Sequence, residues 1–166
     1  MSPVAGTEGA FDRIVGALDY PLLIATTATD DALAGCLVGF ASQCSIDPLR
    51  FLVCLSDRNR TFRLAALADA LAVHAVSDDE ADLVELFGGE TGDEIDKFVR
   101  CEWSPGPAGM PVLDRAPGWF VGSIAGTGNV GDHCAFLLAP VAAELRRYFE
   151  PLSMSYGLRL APGHDA

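Results

Sequence analysis

Arg58, Arg60 and Arg63 fall within six residues, next to Ser56, Asn59 and Thr61, in a chain that has only eleven lysines and arginines against 23 carboxylates. Concentrating scarce positive charge among hydroxyl and amide donors suits a small anion, and phosphate is the natural candidate, because a guanidinium adds a charge-assisted bond to what the neutral groups donate. The segment follows a short apolar run, RFLVCL at 50–55, and opens a helical pattern. The free N–H groups and dipole of a helix start favour an anion at the same place. A capped helix with solvated arginines fits these residues equally well. Ser42, Gln43 and Ser45, a few residues upstream, are placed to add donors from a second side.

Two further features bear on chemistry. With a period of two, Gly35, Leu37, Gly39 and Ala41 share one face of a strand. Two of those four positions lack a side chain, which marks either close approach of something to the backbone, such as a flat aromatic ring, or a bulge or bend. Gly131-Asp132-His133 places a histidine in a turn, where it can titrate, donate to a substrate or hold the loop. His74, inside the apolar run LAVHAV, reads instead as a core or interface residue.

These residues need a scaffold, and the periodicity supplies one. Helical spacing over 11–18 (Phe11, Ile14, Val15, Leu18) precedes strands at 22–29 and 33–42, which form a hairpin about Asp30-Asp31. A turn at Ile46-Asp47-Pro48 leads into the strand at 50–55. A helix is expected over 61–70, a strand over 71–76, a helix over 80–87 capped by Asp78 or Asp79 and closed by Phe87-Gly88-Gly89, and a short helix within 90–100. Residues 104–118 read as a long surface connection, 119–125 and 134–145 as a final hairpin, and 151–160 as a loop with a short strand. Strands that can pair with their sequence neighbours dominate. The expected fold class is therefore mainly β, a small antiparallel barrel with a few peripheral helices. One domain over 10–160 is expected, with a flexible tail at 1–9 and a loose end at 161–166.

Composition narrows the function. A net charge of −12 and a pI near 4.4 argue against a nucleic-acid partner and an anionic membrane surface. No run reaches the ~18 apolar residues of a membrane span, and 1–15 does not read as a secretion signal. Five cysteines (36, 44, 54, 101, 134), odd in number and without C-x-x-C, fit reduced thiols in a cytoplasmic protein. The three histidines are too scattered for a metal site. There is no G-x-S-x-G and no P-loop. Gly126–Gly131 spells G-x-G-x-x-G but lies between two strands with no helix after it, so it is no dinucleotide fingerprint.

The order AGCLVGFASQCSIDP, RFLVCLS, RNRT, ALAVHAVS, ELFGG, DKF and GDH resembles the flavin reductase-like family, the FMN-binding split-barrel proteins, over nearly all of Phe11 to Leu160. The resemblance implies a Greek-key-like antiparallel split barrel. It implies a homodimer with FMN at the subunit interface, NADH or NADPH as hydride donor, and a monooxygenase as receiver of reduced flavin. Carried over residue by residue, the flavin contacts are Leu37, Val38, Gly39, Ser42, Gln43, Ser45, Ser56, Arg58, Asn59 and Thr61. Beside them, His133 is the candidate for a polar contact to nicotinamide or the ring. Many members carry Gly-Phe-Thr-x-Ser where this chain has Gly35-Cys36-Leu37-Val38-Gly39, so contacts there fall to backbone N–H groups. FAD and the deazaflavin F420 stay open as alternatives to FMN. So does a flavin- or F420-binding protein of this fold that lacks reductase turnover.

Overall fold

A computed structural model of the chain describes residues 4–160. Its strands are β1 (Leu23–Ala28), β2 (Leu33–Val38), β3 (Ala41–Ser45), β4 (Arg50–Ser56), β5 (Ala70–Ala75), β6 (Trp103–Pro105), β7 (Pro111–Leu113), β8 (Gly118–Asn129) and β9 (His133–Leu145). The helices are α1 (Thr7–Leu18), α2 (Arg60–Ala65), α3 (Ala81–Gly89) and α4 (Met154–Gly157). Seven strands form one antiparallel sheet in the order β2-β1-β5-β8-β9-β4-β3. Its two edge strands, β2 and β3, are consecutive in the chain. Only Gly39-Phe40 separates them, and the Cys54 N–H of β4 donates to the Phe40 carbonyl at 2.9 Å. A sheet whose edges are joined by two residues must curl onto itself, which makes the mainly β barrel expected from the pattern and, more narrowly, the split barrel that the resemblance implies.

Alternation along the strands explains the burial. Ala25, Cys36, Val38, Val53, Leu55, Leu71, Val73, Phe136 and Leu138 point inward and fill the barrel. The opposite faces of β1 and β5 are buried as well, so both strands are mostly apolar, and their polar residues Thr26, Thr27 and His74 are buried with hydrogen-bond partners. Ile24 packs with Leu83, Val84 and Phe87 of α3, and Ala70 and Ala72 pack with Met110 and Val112. His74 is fully buried between these layers. Its Nδ1 lies 3.0 Å from the Ile24 carbonyl, and its Nε2 accepts from the Leu113 N–H at 3.1 Å. It is a core residue.

Several boundaries differ from expectation. The strand expected at 33–42 is two strands on opposite edges. The helix at 61–70 stops at Ala65, and Ser77 with Glu80, rather than an aspartate, forms the capping box before α3. Most of 90–100 is turn, with a single 3-10 turn at Lys97–Val99. The expected surface connection contains the β6–β7 ribbon, whose Met110, Val112 and Leu113 are core. Residues 154–157 are helix, not strand. At the N-terminal end, α1 already begins at Thr7. Residues 1–3 and 161–166, where parts of the two expected tails fall, lie outside the described residues.

Candidate active site

The cavity that gathers most of the expected residues has a volume of about 300 Å³. Leu37 and Val38 of β2 with Gly39 just after it form one wall, Ser56 and Asn59 a second, and His133 a third. The sheet itself brings these together: Ser56 pairs with His133 across β4 and β9, and the Asp57 N–H donates to the Asp132 carbonyl at 3.1 Å. The His133 ring packs edge-on against Phe40, with centroids 5.1 Å apart. Its Nδ1 lies 2.7 Å from Asp132 Oδ1. An ionised carboxylate only accepts, so Nδ1 carries the proton, and in the neutral ring Nε2 is an acceptor. That hydrogen bond with His133 holds the Asp132 carboxyl below its ordinary range.

The other expected residues go elsewhere. Ser42, Gln43 and Ser45 sit on the β3 edge, where the Ser42 hydroxyl donates to the Gln43 carbonyl and the Gln43 amide to the Ser45 carbonyl. The Ser42 and Gln43 side chains thus bond the edge strand's own backbone, and none of the three residues lines the cavity. Thr61 is buried at the start of α2 and, with Arg60, lines a second, larger cavity of about 560 Å³.

The three arginines do not converge. Arg58 is exposed beside Asp132 and contributes to lowering that carboxyl. Arg60 faces the second cavity, and Arg63 pairs with Asp93. The helix start, proposed as an anion site, is short and partly capped. Helix α2 has six residues, and Asn59 Oδ1 accepts from its Thr61 N–H at 2.9 Å. Cap and candidate ligand are therefore the same residue. An anion beside Ser56 would rely on Arg58 and the loop rather than on a helix dipole.

Both strand glycines are places of close approach, but the neighbour is this chain itself. A Cβ at Gly35 would lie 2.6 Å from the Phe87 ring, and one at Gly39 would lie 2.2 Å from the Met154 sulfur. Phe87, Gly88 and Met154 line the cavity over β2, so α3 and α4 supply a wall. Sequence reasoning read Phe87-Gly88-Gly89 as a helix end and gave no site role to Met154 or to Lys97, although Lys97 lies in the DKF segment that carries the family resemblance. In Lys97 the signal was a lysine just before Phe98-Val99, a cation set among apolar residues.

The cavity fits a flat heteroaromatic ligand. Its walls are mainly Leu22, Leu37, Val38, Leu55, Phe87 and Met154, with polar groups from Ser56, Asn59, Thr91 and His133 and two charged residues, Glu90 and Lys97, a composition typical of cofactor sites. Among the described residues no three His, Cys, Asp or Glu side chains come together to hold a metal ion.

Fold and site together define a split-barrel protein with a cofactor-sized cavity beside the β2–β3 crossing. The model of the flavin reductase like domain matches residues 15–157, and the chain belongs to that family. It is 31% identical over 75% of its length to the FMN reductase (NADH) RutF of Stutzerimonas stutzeri, covering 70% of that protein. It is 23% identical over 74% of its length to the flavin-dependent monooxygenase reductase subunit HsaB of Mycobacterium tuberculosis, covering 64% of it. Against another curated relative the chain spans only 39% of the relative's length. In structure it resembles a flavin reductase domain protein from Arthrobacter sp. FB24, with a TM-score of 0.77, 19% identity, and coverage of 87% of this chain and 88% of that one.

Proposed function

We propose that the protein is an NAD(P)H-dependent flavin reductase that binds FMN, accepts hydride from a reduced nicotinamide and hands reduced flavin to a partner monooxygenase. The carrying observation is the 300 Å³ cavity, in which Leu37–Phe40, Ser56, Asn59 and His133 meet. Family membership and the relatives named FMN reductase (NADH) and monooxygenase reductase subunit support the same reading.

Flavin, once bound, supplies the redox chemistry, and the chain supplies position and electrostatics. The apolar walls hold the ring and exclude water. Arg58, with Ser56 and Asn59, would hold the phosphate. Backbone N–H groups from Val38 to Phe40 would face the ring where Leu37 and Gly39 stand in place of the family's two hydroxyl residues. His133, fixed by Asp132, offers Nε2 to the amide N–H of a nicotinamide carboxamide. No protein nucleophile is needed. Few cations beyond this loop are available for a 2′-phosphate, which favours NADH over NADPH.

The working form in this proposal is a homodimer in the cytoplasm. The apolar side chains of α1 (Phe11, Ile14, Leu18) are each about 60% exposed, Phe40 is exposed on the cavity wall, and Ile46 and Leu49 are exposed in the β3–β4 turn, which suits a second copy. All five cysteines are free, and among the described residues no helix is long and apolar enough to cross a membrane.

NADH oxidation followed at 340 nm, with and without FMN, FAD or riboflavin, tests the activity. Flavin-dependent loss of absorbance is expected, fastest with FMN. A protein that binds flavin without turnover would reduce the reading to a flavin-binding module. Light scattering tests the dimer.

A further inference from the structure

Lys97 is the one lysine or arginine among the described residues that line the 300 Å³ cavity, and it is 5% exposed. It also lines the larger cavity, so it stands at the junction of the two. Its Nζ donates to the Phe87 carbonyl at 3.0 Å and to the Gly35 carbonyl at 3.4 Å, and lies 5.4 Å from the centre of the Phe87 ring. No carboxylate among the described residues is within ion-pair distance of it. Glu90, the one carboxylate on the cavity wall, is itself paired with Arg100 at 3.8 Å. Cys36 beside it is held as a neutral thiol, pushed up to about 11 by burial. Burial also lowers the Lys97 ammonium from its ordinary value.

A buried cation whose hydrogen-bond acceptors are both neutral is costly, since carbonyl dipoles replace hydration incompletely, and the charge of Glu90 on the same wall offsets part of that cost. Phe87 lies in the last turn of α3, where a cation is favourable, and this offsets part of the cost. The remaining positive potential falls in an apolar cavity, where it is felt far more strongly than in water.

We propose that Lys97 stabilises the negative charge that a flavin ring acquires on reduction in this cavity. The proposal rests on the flavin reductase reading. In that reaction a hydride, carrying two electrons, leaves dihydronicotinamide, which becomes the oxidised nicotinamide cation. The hydride bonds to the flavin, which becomes the reduced anion, and no other reactant enters. The ring's charge changes by one unit, and Lys97 is the fixed cation placed to favour the product. Its role is electrostatic positioning, through the ring's electronics rather than through proton transfer.

The test compares the affinities of wild type, Lys97→Met, Lys97→Gln and Lys97→Arg for oxidised FMN and, anaerobically, for dithionite-reduced FMN, with riboflavin in parallel. The ratio of the two affinities reports differential stabilisation of the reduced ring. It should fall about tenfold in Lys97→Met, equivalent to about 30 mV in a two-electron couple, fall similarly with riboflavin, and stay near wild type in Lys97→Arg. Lys97→Gln keeps donors for Gly35 and Phe87 without the charge, and serves if the methionine variant does not fold. An unchanged ratio in a folded neutral variant would make Lys97 a bolt between α3 and β2 and overturn the proposal. Equal loss of both FMN forms with riboflavin unaffected would assign the charge to the phosphate and overturn it too. A wild-type protein that binds neither flavin form would overturn the flavin reading itself.

Discussion

Ser56 and His133 face each other at the open ends of β4 and β9, one residue from the loop that carries Arg58 and Asn59 and one from the turn that carries Asp132. Strand register thus welds a candidate phosphate loop to a candidate nicotinamide contact that lie 77 positions apart in sequence. Each half can be tested separately.

His133→Ala removes the imidazole Nε2 acceptor and the edge contact to Phe40. With saturating FMN, NADH oxidation should slow about tenfold, the scale of about one lost hydrogen bond, while flavin affinity stays within about twofold. Unchanged NADH kinetics would make His133 a structural residue of the turn.

Arg58→Ala should weaken FMN a few-fold to about tenfold, an exposed charge contributing less than a buried one. Riboflavin, which lacks the phosphate, should bind as before. Asn59→Ala differs, because it also strips the cap from α2 and should cost about 1 kcal/mol of stability. Fluorescence titration and thermal melts separate the two effects.

The strand glycines should respond unequally to alanine. At Gly35 the new methyl meets the buried Phe87 ring, and overpacking of this kind costs about 1–3 kcal/mol. At Gly39 it meets the flexible end of Met154, which can swing away at less cost but into the cavity. Denaturant melts should therefore rank Gly35→Ala as the less stable. Flavin titration should show Gly39→Ala losing affinity with its fold retained.

His74 makes stability depend on pH. Burial pulls its pKa down to about 4 in the folded chain, against 6.5 when unfolded. The unfolded chain therefore binds the proton more readily. The neutral histidine's contribution is complete above pH 6.5 and is lost progressively as pH falls toward 4, on the order of 3 kcal/mol in total. Urea midpoints should fall across that window in the wild type and flatten in His74→Asn. The depressed carboxylates Asp19, Asp82 and Glu144 act only at more acidic pH.

The chain's local patterns determined much of this architecture. Alternating or continuous apolar runs specified the barrel strands, because side chains on a strand must divide between two faces whatever lies beyond them. Asp132-His133 and Phe87-Gly88-Gly89 were legible as a turn and a helix end because such features carry local signatures. The sequence also showed a scarce cluster of three arginines, but not that they point three ways. Partners such as Asp93 and Asp132 are 30 to 74 positions away from them in sequence. Tertiary structure alone decided that Gly35 and Gly39 lie under Phe87 and Met154, that the 33–42 run breaks across the barrel seam, and that Lys97 stands between two cavities. Each depends on which distant segments close over a sheet, and a periodicity confined to one strand carries no information about what covers its other face.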